Sequence, residues 1–400
     1  MGLIGRVLAN RLVDFDGSKI YYWDVPMVAI PFEVFSKNQY KLQSNLGPDI
    51  KKIYYSLGKI QGKNGSNILL KKYKITPNKN DFTFYIEQSK FVGIGRIELL
   101  ELDLENLIFR VIIEDTPHCK FIKEKEGTLN TSFCDYQRGL IVGSIESIMT
   151  ILLNKEVNLD GIEIKCLAKG DEVCEFLIKE SSEFDEKEPL ELKNPCIEFV
   201  KKKETINTLL RKSGLPKSKS GTTYHKTLKN NKQKVPFKYD GEGYISFLGE
   251  RVLITPMDIF ILLYYIIKEC YGEEADNLFY EFGKEMAFLT YPLLSNYFSF
   301  HSKTNNLNIL FEQTGLFGFG IPYIVNSNIS KGVIIVNLND SPGKHYKELI
   351  SQSNLRVDYF ICGYLSGITE KFTKMETFTE ETNCIVEGSP KCIFKITYKQ

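Results

Sequence analysis

The chain repeats itself, and a repeat limits the possible folds more tightly than composition does. The segment "EIKCLAKGDEVCEF", from Glu163 to Phe176, and the segment "ETNCIVEGSPKCIF", from Glu381 to Phe394, both read Glu-x2-Cys-x7-Cys and then run on into apolar residues. Further pairs follow. "VPM" at Val25 answers "TPM" at Thr255, "IYYSLGK" at Ile53 answers "LFYEFGK" at Leu278, and "GIG" at Gly93 answers "GFG" at Gly318. "EDTP" ending at Pro117 answers "NDSP" ending at Pro342, and "GLIVG" at Gly139 answers "GYLSG" at Gly363. The offsets of 230, 225, 224 and 218 hold over long spans and change in few steps, as duplication followed by loop insertions and deletions would leave them.

At about 150 residues per domain, 400 residues suggest two domains. The repeat places them at 1–180 and 236–400. The stretch between, 181–235, is rich in charge, Ser, Gly, Asn and Pro, a linker composition, with a short helix expected from Pro195.

Within each repeat the expected class is α+β, an antiparallel sheet packed with helices and ending in a Cys-bearing β-hairpin. "PMDIFILLYYIIKECYG" and "ADNLFYEFGKEMAFLTYPLL" have helical length and apolar density. "NLIFRVIIEDTP" and "GVIIVNLNDSP" are β-branched runs stopped by an Asp-x-Pro turn, which reads as strand. The Cys motifs alternate around a Gly-containing turn and read as hairpins. Two helices carry Gly pairs four residues apart, Gly139 with Gly143 and Gly363 with Gly367. Each glycine costs about 1 kcal/mol against Ala, so the stripes imply close approach of a backbone or of a ligand.

Composition excludes several classes. With 51 Lys and Arg against 50 Asp and Glu, the net charge of +1 gives no electrostatic case for nucleic acid. The longest apolar stretch, Ile259 to Ile267, falls well short of the ~20 residues of a membrane span. The start of the chain has no extended apolar core or small-residue cleavage site, so the expected location is cytoplasmic. There, nine cysteines point to metal ligation or plain burial, not to a disulfide framework.

A hairpin with Cys at the end of one strand and the start of the next brings two sulfurs together. In the first repeat these are Cys166 and Cys174, with Glu163 three residues before; in the second they are Cys384 and Cys392, with Glu381. Zinc takes thiolates and carboxylates in a tetrahedral shell. Cys134, just before the Gly-stripe helix, is the candidate for a remaining ligand in the first repeat, and Asp358 or Cys362 in the second. Buried free thiols or a redox pair are the competing readings. Cys119, Cys196 and Cys270 do not recur between repeats and read as packing or surface residues, and the four His share no spacing and are assigned no role.

The Gly pairs of "GIG" and "GFG" read as turns or bulges, because no third Gly and no helix follow. No Walker A sequence, Gly-x-Ser-x-Gly elbow or His-Glu-x-x-His occurs. Tyr55 and Tyr280 read either as pocket lining, together with the glycines of the two stripes, or as aromatic core.

"GYLSG" followed by Glu-x2-Cys-x7-Cys-x-Phe, preceded by "NDSP" and "LFYEFGK", resembles the 4-vinyl reductase (4VR) domain, and so does the first repeat. The resemblance covers most of the chain outside the linker. It implies the fold shared with heme-binding nitric-oxide sensors and Bet3-type subunits of vesicle-tethering complexes. Relatives include the sensor domains of phenol-responsive transcription activators, in which a zinc is held by an upstream Cys, the Glu and both hairpin Cys. Carried over, this implies zinc on Cys134, Glu163, Cys166 and Cys174, and on Glu381, Cys384 and Cys392 with Asp358 departing from the pattern. The family name suggests an enzyme, but no residue has the look of a proton donor or hydride partner. The expectation is therefore a non-enzymatic sensory or scaffold protein that binds a small apolar or aromatic ligand and works with a protein partner, as an intramolecular pseudo-dimer or a homodimer. An enzyme or accessory protein of tetrapyrrole vinyl reduction and a tethering-type assembly subunit with an acyl-binding channel are the rival expectations.

Overall fold

The computed structural model describes residues 13–15, 20–22, 25–73, 92–184, 237–239, 243–297, 303–328, 332–338, 340–349 and 355–398. Most of the expected linker, its short helix, Cys196, His225 and His301 lie outside the described residues.

The first half of the chain runs through strands β1 (Val13–Phe15), β2 (Ile20–Tyr22) and β3 (Val25–Pro31), then helices α1 (Phe32–Leu46) and α2 (Asp49–Tyr73). Strands β4 (Arg96–Asp103) and β5 (Ile108–Glu114), helices α3 (Pro117–Glu126) and α4 (Asp135–Leu152), and the hairpin β6 (Leu159–Lys165) with β7 (Cys174–Glu180) complete it. The second half repeats the plan with β8 (Phe237–Tyr239), β9 (Ile245–Phe247) and β10 (Glu250–Pro256), then α5 (Met257–Tyr271), α6 (Glu274–Tyr297) and α7 (Lys303–Glu312). It ends with β11 (Pro322–Asn328), β12 (Val333–Leu338), α8 (Pro342–Leu349), α9 (Tyr359–Thr373), β13 (Thr377–Asn383) and β14 (Cys392–Tyr398).

The class is α+β, as expected. Each half has a four-stranded antiparallel sheet, in the order β4-β5-β7-β6 and β11-β12-β14-β13. Alternation along β5 turns Phe109, Val111 and Ile113 into the core, and along β7 it turns Cys174, Phe176 and Ile178 the same way. Cys392, Phe394 and Ile396 follow the same rule on β14. The period of two thus decides that the second hairpin Cys faces inward. Both hairpins carry a bulge just after the Glu of the motif, between Glu163 and Lys165 and between Glu381 and Asn383, where the local twist changes and side chains are re-aimed.

The repeats align at an offset of 225 already from Pro31 and Pro256, which cap α1 and α5. The "VPM" and "TPM" match is therefore five residues out of register; it pairs a Pro inside β3 with the Pro that ends β10.

The described residues form two compact units, and neither is a continuous stretch. The first unit groups Pro31–Ile197 with Phe237–Ile254, and the second groups Thr255–Gln400 with Asn10–Ile30. Each is completed by the strands that open the other repeat in sequence. In the first unit Gly95 N–H donates to Gly243 O at 3.2 Å, the Tyr244 hydroxyl donates to the Asp115 carboxylate, and Arg251 lies 3.4 Å from Asp115. Gly93 has φ +89°, and a Cβ there would run into the Val252 carbonyl; Gly318, φ +87°, meets the Met27 carbonyl in the second unit. The "GIG" and "GFG" glycines are thus the seats of the exchanged strands.

In the first unit α2 and α4 cross with backbones in contact. A Cβ on Gly58 or Gly62 of α2 would fall on carbonyls of Tyr136 or Leu140, and one on Gly139 or Gly143 of α4 on those of Tyr55 or Lys59. The helix interface itself fills the space beside all four. In the second unit Gly283 and Gly363 repeat this contact, while Gly367 faces the Ala287 side chain, which stands where the first unit has Gly62.

Candidate metal centres

The first hairpin, the N-terminus of α4 and the N-terminal turn of α3 bring four thiols into one buried cluster. The Sγ atoms of Cys119, Cys134, Cys166 and Cys174 lie within 4.8 Å of one another, with Cys119 to Cys134 at 3.0 Å, Cys134 to Cys174 at 3.3 Å, and Cys119 to both Cys166 and Cys174 at 3.9 Å. A tetrahedral zinc with arms of about 2.3 Å would set its sulfurs about 3.8 Å apart. All four thiols are free and buried. Cys119, set aside in sequence because it does not recur, is therefore part of the cluster. Its position two residues beyond the Asp-x-Pro turn was the available signal.

Glu163 sits at the edge of this cluster. Its Oε2 accepts the Cys134 N–H at 3.3 Å, and Oε1 is buried without a hydrogen-bond partner among the described residues. Backbone groups also address the sulfurs: Leu167 N–H donates to Cys174 Sγ at 3.4 Å, and the Thr116 hydroxyl approaches the same sulfur at 3.5 Å.

The second hairpin repeats the frame with other donors. Glu381, Cys384 and Cys392 offer ligand atoms within 4.8 Å of one another. Cys392 Sγ donates to Asp358 Oδ2 at 3.2 Å, Gly343 N–H to Asp358 Oδ1 at 3.0 Å, and Ile385 N–H to Cys392 Sγ at 3.4 Å. Asp358 caps α9 where Cys134 caps α4. Cys362, one turn on, is buried but stands outside the group of three. Arg356 ties the tip down through two 2.7 Å contacts with Glu387.

Protons are unevenly held in both clusters. Burial pushes the Cys119 and Cys134 thiols well up, whereas hydrogen bonds from the Cys119, Cys134 and Cys174 thiols hold Cys166 well below the usual thiol range. Burial, then the Cys166 and Cys174 sulfurs, pushes the Glu163 carboxyl up. In the second cluster Cys392 draws Cys384 down to about 7, and burial followed by the Asp358 charge pushes Glu381 up to about 10. A cation entering either cluster would displace these protons, the usual coupling of metal binding to ligand ionisation.

The other expected site residues are engaged elsewhere. Tyr55 donates from its hydroxyl to Asp160 Oδ1 at 2.5 Å under the Arg138 guanidinium, 4.5 Å from the ring. Tyr280 accepts the Thr379 N–H at 3.2 Å and stacks on Phe378. Gly139, Gly143, Gly363 and Gly367 lie in the helix crossings.

The two units differ more in their aromatic interiors. In the second, Phe260, Phe279, Phe282, Phe319 and Phe360 pack edge to face and tilted, with centroids 4.6–6.1 Å apart. At the matching positions the first unit has Phe35, Tyr54, Leu57, Ile94 and Tyr136. The Tyr54 hydroxyl is buried without a partner among the described residues, and so are Asn38 Oδ1, Gln39 Oε1 and both ends of the Gln137 amide. The second unit has Leu263, Tyr264 and Ile361 where Asn38, Gln39 and Gln137 stand.

No family model matches the chain. A 133-residue segment is 30% identical to an uncharacterized protein of Methanocaldococcus jannaschii; it spans 33% of this chain and 66% of that protein, just under two thirds of its length. Among solved structures, the phenol-responsive sensory domain of the transcription activator PoxR with phenol is 20% identical, over 45% of this chain and 92% of that one, with TM-score 0.39. A vinyl-4-reductase family protein from Methanocaldococcus jannaschii is 18% identical, over 36% and 83%, with TM-score 0.25. A trafficking protein particle complex subunit 3 from Naegleria fowleri covalently bound to palmitic acid and several H-NOX domains match as well, at TM-scores of 0.27 and 0.23–0.26. These are the kinds of protein that the resemblance names. Among the described residues no helix is long and apolar enough to cross a membrane.

Proposed function

We propose that the chain is a non-enzymatic ligand-binding protein of sensory or scaffold type, in which a structural zinc fastens each terminal hairpin and the first unit receives the ligand. The observation that carries the ligand reading is the contrast between the two interiors. A buried polar group without a partner costs about 1–3 kcal/mol, and Tyr54, Asn38, Gln39 and Gln137 leave several such atoms in the first unit. A small aromatic molecule with a hydrogen-bonding substituent would satisfy them, whereas the phenylalanine-filled second unit offers no such groups at the same positions.

The metal reading rests on burial and donor chemistry. Structural zinc sites are closed, and catalytic ones keep a position for water; here the hairpin sulfurs face the core and receive backbone N–H groups. In the first unit the ion would sit among Cys134, Cys166 and Cys174, with Glu163 alongside, and in the second among Glu381, Cys384 and Cys392, with Asp358 alongside. Zinc supplies no chemistry in this reading beyond joining hairpin to helix. Such sites contribute about 10–16 kcal/mol in small peptides, as much as a whole domain's stability.

Native mass spectrometry of the purified protein should find bound zinc and any retained small molecule, and chelation should lower the melting temperature. Calorimetry with phenol and with palmitate as probes should give phenol binding that Tyr54→Phe weakens about tenfold. Failure of both probes to bind, or phenol binding indifferent to Tyr54→Phe and Gln137→Leu, would count against the ligand site. Metal-free protein with unchanged melting would count against the clamp.

A further inference from the structure

On the reading that the first centre holds zinc, we infer that its fourth ligand is Cys119 and that Glu163 stands outside the coordination shell. The first unit then carries a closed four-thiolate site and the second a mixed carboxylate and thiolate site. The four sulfurs meet the mutual-distance requirement by themselves, at 3.0–3.9 Å for the pairs in direct contact, and Glu163 is not among the atoms that do. Its Oε2 already accepts the Cys134 N–H. That places Glu163 where an outer-shell carboxylate orients a ligand-bearing residue.

The second unit supplies an internal control. At the 225 offset Cys119 corresponds to Lys344, whose Nζ pairs with Asp340 at 3.0 Å. Where the third-segment thiol is missing, the motif's own carboxylate, Glu381, joins the two hairpin sulfurs within 4.8 Å. The same Glu-x2-Cys-x7-Cys hairpin therefore serves two donor sets, and α3 or α8 decides which. Four thiolates favour zinc or cadmium strongly, and replacing sulfur by oxygen makes a site harder and weaker for both. A chelator of intermediate strength should strip the second centre before the first.

The test uses the full-length protein with cobalt(II) as the probe, in a Cys384→Ser, Cys392→Ser background that removes the hairpin thiolates of the second centre. Thiolate-to-cobalt charge transfer grows with the number of sulfur ligands, so Cys119→Ser should cut that band by about a quarter while Glu163→Gln leaves it unchanged. A full-strength band in Cys119→Ser, with ligand-field bands displaced in Glu163→Gln, would overturn the inference and make Glu163 the ligand. Should Cys119→Ser fail to fold, cadmium-113 NMR of the protein with Cys119 intact decides instead. A resonance at the four-sulfur position supports the inference, and one at the three-sulfur, one-oxygen position overturns it. Protein that takes up neither metal would overturn the zinc reading and this inference together.

Discussion

Tyr54 and Glu146 show two ways in which a buried polar group is held. The Tyr54 hydroxyl has no partner among the described residues, so removing it should relieve the fold and harm the function. Tyr54→Phe is expected to raise ligand-free stability by about 1 kcal/mol in denaturant melts, the usual opposition between a binding site and the fold around it. Glu146 is buried on α4 but paired, with Lys59 Nζ at 2.8 Å and Lys63 in contact, and it accepts the Leu159 N–H at 3.1 Å. Burial by itself raises its carboxyl, and the two ammonium groups overcome that and hold it below the usual carboxylate range. Since the folded value lies below the unfolded one, the contribution is present above the ordinary carboxylate pKa and is lost as pH falls through the folded value. Glu146→Gln should cost about 3 kcal/mol at neutral pH and flatten the acid limb of a stability profile measured by urea unfolding.

At the scale of elements, glycine position decides the sign of a substitution. Gly139 of α4 has the Tyr55 carbonyl where a Cβ would go, so Gly139→Ala should cost about 3 kcal/mol by forcing α2 and α4 apart. Gly65, on the same α2 helix, has nothing within 4 Å of a Cβ, so Gly65→Ala should stabilise by about 0.5–1 kcal/mol. Thermal melts of the two variants test this directly. The helices, the β-branched strands and the Cys hairpins were legible in the sequence because each has a local period and a local stop signal. The inward turn of Cys174 and Cys392 follows from alternation alone. Cys119 was not legible, because it does not recur between the repeats: Lys344 stands at its place in the second. Tyr54, Asn38 and Gln137 were not legible because nothing local distinguishes a buried unpartnered hydroxyl or amide from an exposed one.

At the scale of the whole molecule, neither compact unit is a continuous stretch of chain. Each unit takes the strands that open the other repeat, seated against glycines at positive φ. Expressed alone, residues 1–184 would lack β8, β9 and β10, leaving Gly95 N–H and the Asp115 carboxylate without their Gly243 and Tyr244 partners. Such a fragment is expected to unfold or to self-associate by exchanging its own β1, β2 and β3, the low-cost route to a dimer. Light scattering with chromatography distinguishes these outcomes from a folded monomer, which would contradict the exchange.

The exchanged strands also bear on how such a chain can change over generations. A recombination event that erased one copy of the duplicated segment would leave the survivor to find its missing strands in a second molecule. Substitutions in the "GIG" or "GFG" seat must likewise suit residues inherited from the opposite copy. The halves were free to diverge in their buried clusters and interior chemistry, as Cys119 against Lys344 and Tyr54 against Phe279 record, but not to part.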